Sequence, residues 1–289
     1  MAIVIMMPVN AATQMDFDDA IKDQAGMPGT NPQLSKQLMA EPIAASSLSP
    51  VVTETGKISW SIDGLGVSDT TGTIQVEKPA GATVKSAYMA AATTGTRGYP
   101  LVPGNIKIDG ADVVWTNEIA SSISSYNYWA DVTSLVKEKI DAAPVGRVDF
   151  TITETPAYIT DGELLVVIFD DSAQTTDNTI ILMFGAQPTT GGDFNIPLAE
   201  PIDRIDPNLV LDFSLASSFS NQDNDDQYSI VDVNGNRMTS WAGGDDEEER
   251  IFTPPTRRAS SQIFSVRLHR SDGWTADPAR SSRRPGSPP

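Results

Sequence analysis

From Lys57 onward the chain is written in short apolar runs punctuated by Gly, Pro, Asn and Asp. The runs over 57–63, 72–78, 84–92, 105–109, 112–115, 147–153, 163–170, 179–184, 209–215 and 228–233 each have the length of a strand. Many short strands at near-regular spacing predict an antiparallel β-sandwich, of jelly-roll or immunoglobulin-like type. In Arg147–Thr153, Val148, Phe150 and Ile152 alternate with Asp149 and Thr151, so one face of that strand is polar. The runs Leu164–Phe169 and Ile180–Phe184 are apolar on both faces, as strands buried on both sides are. Asp109-Gly110 between two of the runs predicts a tight hairpin. One helical pattern interrupts the strands: Asp131 is placed as an N-cap, Val132, Leu135, Val136 and Ile140 fall on one face, and Lys137 and Lys139 lie toward the C-terminal end. It predicts a short covering helix over 131–141. No fixed-period repeat and no heptad pattern is present.

Outside 57–249 the pattern changes. Residues 1–12 read as the back half of a secretory signal peptide, an apolar run ending in Val9-x-Ala11 without the basic leading segment. Residues 13–56 carry Pro28, Pro32, Pro42 and Pro50 among small and polar residues and read as an extended leader. Residues 250–289 hold 8 of the 12 Arg, no Lys and the single His, His269, for a charge of +6 against −24 for residues 1–249. Two readings fit this swing: a basic arm that meets an acidic surface, or a reading-frame change in a GC-rich gene, with a disordered tail.

Composition then narrows the chemistry. The chain has 289 residues, a formal charge of −18, 21 Gly, 20 Pro, no Cys and one His. A chain this acidic is no counterion-displacing phosphate binder, which excludes nucleic acid as a partner of that kind. Without Cys there is no thiolate nucleophile, Cys-rich zinc site or disulfide framework. If the tail is out of frame, the body has no His, and a Ser-His-Asp triad loses its general base. No apolar run reaches the roughly 18 residues of a membrane-spanning helix.

Three local constellations carry candidate chemistry. Asn221, Asp223, Asp225 and Gln227 alternate oxygen-bearing side chains, the kind of loop that can converge on Ca²⁺, although the Gly and Glu positions of an EF-hand are missing. The alternative is a solvated acidic turn, and Asp245–Glu249 is read in the same two ways. Tyr126, Asn127, Tyr128 and Trp129 follow a Ser-rich stretch and would suit an exposed loop that stacks on sugar rings, or would pack beneath the helix that follows. Asp170 and Asp171 end an apolar strand, and with Glu163 or Glu154 they would make the carboxyl pair of a glycosidase. Lys57, Lys85 and Lys107 are candidates for an intramolecular Lys–Asn crosslink.

Trp129–Val136, Gly162–Asp171 and Thr179–Gly185 together resemble a family of secreted bacterial and archaeal surface domains of unknown function. In that family an Asp-Val-Thr helix start precedes a Gly-Trp-x-Leu-Val-Val-Tyr strand; here Glu163 stands for the Trp and Phe169 for the Tyr. Gln227–Gly235 and Ala242–Asp246 are similar to its downstream part, which often runs into a sorting or anchor tail. The resemblance implies a secreted or surface location and no assigned reaction. The sequence therefore predicts a non-enzymatic structural or adhesive surface protein, stabilised by Ca²⁺ if the acidic loop binds it. Its expected partners are envelope or matrix components, glycans among them, and further copies of itself. The alternative is a carbohydrate-binding module that uses Tyr126–Trp129.

Overall fold

A computed structural model describes residues 2–9, 48–66, 70–93, 99–121, 125–186, 193, 211–217, 231–233, 236–239, 262–269 and 275–276. In chain order the strands are β1 (Ala2–Val9), β2 (Ser49–Gly56), β3 (Ile58–Gly66), β4 (Thr71–Lys78), β5 (Thr83–Thr93), β6 (Ile106–Ile108), β7 (Ala111–Asp112), β8 (Asn117–Ala120) and β9 (Tyr126–Asp131). After helix α1 (Thr133–Ala142) come β10 (Gly146–Glu154), β11 (Thr160–Asp170), β12 (Asp177–Phe184), β13 (Leu211–Ser217), β14 (Val231–Val233), β15 (Asn236–Thr239), β16 (Gln262–His269) and β17 (Thr275–Ala276). All strand pairs are antiparallel.

The predicted antiparallel sandwich with one short covering helix is present, and a third sheet extends it beyond two layers. The middle sheet has the order β3-β11-β5-β9-β8. On one side it meets the sheet β4-β10-β6-β7, and on the other the six-stranded sheet β17-β16-β13-β1-β12-β2. Strand periodicity explains the stack. Leu165, Val167 and Phe169 of β11 pack with Ile74, Phe150 and Ile152 in one core, while Leu164, Val166 and Ile168 pack with Ile180, Leu182 and Phe184 in the other. A strand buried on both faces needs apolar residues at every position, which is what the continuous run over 164–169 supplies.

Helix α1 starts at Thr133, two residues later than the sequence pattern suggests, because Asp131 is still paired with Tyr88 in the sheet. Asp131 contributes all the same: its Oδ1 accepts the Thr133 N–H at 2.8 Å. The helix continues along β5 where β9 leaves it. Thr133 Oγ1 accepts the Ala87 N–H at 2.8 Å, the Val132 N–H donates to the Ala87 carbonyl at 2.9 Å, and Asp141 Oδ1 accepts the Val84 N–H at 2.7 Å. Lys78 Nζ donates to the Asp141 and Ala143 carbonyls, both at 2.8 Å, neutralising the negative end of the helix. Val132, Val136 and Ile140 enter the core.

The Asp109-Gly110 hairpin forms as predicted, with φ of 48° and 86° at its two central residues, the left-handed geometry that this pair tolerates. Several strands were not anticipated. Within the expected leader, Ser49–Gly56 pairs with β12. Within the expected signal segment, Ala2–Val9 lies between β12 and β13. In the basic tail, Gln262–His269 pairs with β13 along its whole length.

Candidate functional site

The densest chemistry among the described residues is a carboxyl cluster inside the sandwich. On β10 the inward positions run Val148, Phe150, Ile152 and then Glu154. On β11 the parity that turns Leu165, Val167 and Phe169 toward the same layer turns Glu163 there too, opposite Leu65 of β3 and Ala91 of β5. Asp161 lies just before it, where the pairing with β5 shifts register between Thr160 and Gly162. All three side chains are buried, none more than 2% exposed.

Burial first of all drives both glutamates upward. Glu154 is pushed up to about 7 by desolvation, partly offset by its contact with Glu163 and reinforced by the Asp161 charge. Glu163 rises well above the ordinary glutamate value for the same reason, and then through the charge and contact of Glu154 and the charge of Asp161. None of the carboxyl oxygens of Glu154 or Glu163 meets a hydrogen-bond donor among the described residues. Two ionised carboxylates have no donor to offer each other; a proton on Glu163, donated to Glu154, supplies it. Burial and the neighbouring acids thus favour the protonated form of this pair. Among the described residues no three His, Cys, Asp or Glu side chains are arranged as metal ligands, these three included.

The aromatic segment takes a different form from the exposed loop that sugar stacking requires. Residues 126–131 are strand β9, and Asn127, Tyr128 and Trp129 are buried. Trp129 stacks on Tyr88 at 5.3 Å between ring centres and tilts against Phe184 at 5.5 Å. Tyr128 packs against Trp115, and its hydroxyl accepts the Leu101 N–H at 3.0 Å. Burial, followed by the Glu118 carboxylate facing it, raises its pKa above the usual tyrosine value. Asn127 Nδ2 donates to the Gly185 carbonyl at 3.1 Å, linking the middle sheet to the end of β12. Tyr126 is half-buried, and its N–H is held by Thr93 Oγ1 at 2.8 Å. Asn127, Tyr128 and Trp129 thus lie in the interior, and Tyr126 packs partly buried against it.

The glycosidase pairing is not formed either. Asp170 and Glu163 are seven residues apart on one strand, roughly 23 Å at 3.3 Å per residue, whereas a glycosidase holds its carboxyls about 5 to 9.5 Å apart. Asp171 is occupied in the turn after β11: its oxygens accept the Ala173 N–H at 3.1 Å and Gln174 Nε2 at 2.7 Å. Asp170 is exposed and lies 3.7 Å from Lys85 Nζ. These residues, with Lys57 and Thr83, line an open depression of about 420 Å³. The three lysines considered for crosslinking bond elsewhere. Lys57 meets the Thr175 carbonyl and Asp177, Lys85 meets Glu54 and Asp170, and Lys107 meets Asp112.

The calcium candidates Asn221, Asp223, Asp225 and Gln227, and the run 245–249, lie outside the described residues. Sequence reasoning named Glu154 and Glu163 as partners for Asp170 and Asp171, and Glu163 as standing for a Trp of the resembled family, without joining the two glutamates to each other. The signal for the cluster was present in the alternation of β10, where Glu154 occupies the next inward position after Ile152. No protein-family model matches this chain, and no curated protein matches it.

Proposed function

We propose that the chain is an extracellular structural or adhesive module of the cell envelope, with no catalytic role. The observation that carries this reading is the use made of polar side chains at the strand edges. Strand β4 ends its sheet, so the N–H groups on its free side would invite pairing with another chain. Asp63 Oδ2 accepts the Gln75 N–H at 2.7 Å and Ser61 Oγ accepts the Glu77 N–H at 3.0 Å, both from the neighbouring layer. Helix α1 closes β5 in the same manner through Thr133 and Asp141. A domain that persists outside the cell, exposed to proteases and without chaperones, gains from closed edges and a doubly buried middle sheet. The acidic surface charge favours solubility and the loose recruitment of divalent ions. The likeness of 129–136, 162–171 and 179–185 to surface domains points the same way. Envelope or matrix components are the partners this reading assigns, with Ca²⁺ at 221–227 as a stabilising ion.

The test is location. The full chain carrying a C-terminal epitope tag, expressed in a bacterial host, is followed by fractionation and by surface protease accessibility. The reading expects the tag in the envelope or the medium, sensitive to protease added to intact cells. Recovery only from the cytoplasm overturns it.

A further inference from the structure

Strand β1 occupies an unusual place. It is the first element of the chain, yet it is an inner strand of the six-stranded sheet, paired on both sides. It matches β12 from Ala2↔Phe184 to Val9↔Asp177, and β13 from Ala2↔Ala216 to Met6↔Asp212. Pro8, which has no N–H to give to a ladder, falls beyond the last β13 partner, where only one side of the strand is paired. Without β1 the sheet divides into β2-β12 and β13-β16-β17. Two backbone edges would then face one another across a gap of about 9 to 10 Å, two strand spacings. Unpaired edges of that kind are costly and bind any strand of suitable register.

The covalent tie between β1 and the rest of the fold is long: residues 10–47 separate Val9 from Leu48. Loop-closure entropy grows only logarithmically with the number of residues that join two elements. The effective concentration of the strand at its own slot is on the order of millimolar or below, and falls with tether length. A neighbouring copy therefore competes on even terms only where the chain is crowded to a comparable concentration, as in an assembly. Every backbone bond that β1 makes in its own chain is available, unchanged, to the same segment of another copy.

We propose that β1 is an exchangeable strand: the slot between β12 and β13 accepts Ala2–Val9 of a second copy of this chain, in the same antiparallel register, and the protein self-assembles by passing this strand from copy to copy. Exchange requires that residues 1–12 stay on the folded chain and are not removed as a signal peptide. Strand donation to a neighbour whose own strand is donated onward is heterologous, so it yields open chains or closed rings, whereas mutual exchange closes a dimer.

The absence of Cys in the full chain makes the test direct. Met7 faces Thr179 and Met6 faces Ile180. These adjacent positions sample both kinds of antiparallel pair, with Cα separations of about 4.5 and 5.5 Å, within the span a disulfide bridges. Met7→Cys and Thr179→Cys chains are prepared separately, mixed at increasing concentration, oxidised and run on a non-reducing gel. Met6→Cys with Ile180→Cys repeats the test should the first pair disturb the fold. Exchange predicts a mixed disulfide dimer at twice the 30.9 kDa chain mass, whose yield rises with concentration. A mixture of Met7→Cys with Val145→Cys, an exposed residue just before β10 in a different sheet, stays largely unlinked. The double variant Met7→Cys/Thr179→Cys reports pairing within one chain. Closure of the double variant with no mixed dimer at any concentration overturns exchange. Failure of both overturns the placement of the strand itself.

Discussion

Glu154 and Glu163 impose a pH dependence whose sign follows from their surroundings. In the fold Glu154 titrates at about 7 against an ordinary 4.5, and Glu163 is raised in the same direction. The folded state thus keeps protons that the unfolded chain releases. Stability from these groups is fully present below about pH 4.5 and falls as pH rises toward 7 and beyond. Asp141 works oppositely: although burial raises its pKa, the Val84 N–H and the Lys137 ammonium more than offset this and hold it below the usual aspartate range. A variant comparison isolates the pair. Glu163→Gln keeps a side-chain donor for Glu154 and removes the carboxyl that must stay protonated. Relative to the parent it gains stability between pH 5 and pH 8, on the order of 1 to 3 kcal/mol, read from urea melts at the two pH values. Parallel pH profiles for the two proteins would show that no proton is shared.

At the scale of elements, the edge of β4 depends on side chains from another layer. Asp63→Ala leaves the Gln75 N–H without its acceptor, and the joint change with Ser61→Ala also frees the Glu77 N–H. The expected loss is about 1 kcal/mol per bond, together with concentration-dependent light scattering as the bared edge pairs with other chains. Unchanged urea midpoints and no scattering would mean that water replaces both acceptors. Much at this scale was legible beforehand: β10 in its alternation, β11 in its continuous apolar run, and the β6–β7 hairpin in Asp109-Gly110. Strand β9 was misread because Ser, Tyr and Asn suggest a loop, whereas packing against Tyr88 and Phe184 decides that these rings are core. Strand β16 is masked in the sequence by the basic charge of its segment, although Phe264, Val266 and Leu268 alternate as a strand's residues do.

For the whole molecule, the reading of the acidic loop is settled by linkage. If Asn221, Asp223, Asp225 and Gln227 hold Ca²⁺ only in the folded state, millimolar calcium raises the melting temperature over chelator or magnesium. Asp223→Ala/Asp225→Ala then abolishes the rise. A melt indifferent to all three conditions makes the loop a solvated turn. The sequence by itself determined the β class, the helix, the strands that are buried on two faces and the narrow chemical repertoire, because those follow from periodicity and residue inventory within short windows. It also contains Glu154 and Glu163 without showing that they meet. Only the tertiary structure decided that β10 and β11 face each other across a dry layer, that Asp63 closes an edge in the next sheet, and that the first eight-residue strand completes a sheet whose other strands lie beyond residue 48. Those relations depend on which strands pair and stack over long separations, and a strand's local pattern carries its faces but not its neighbours.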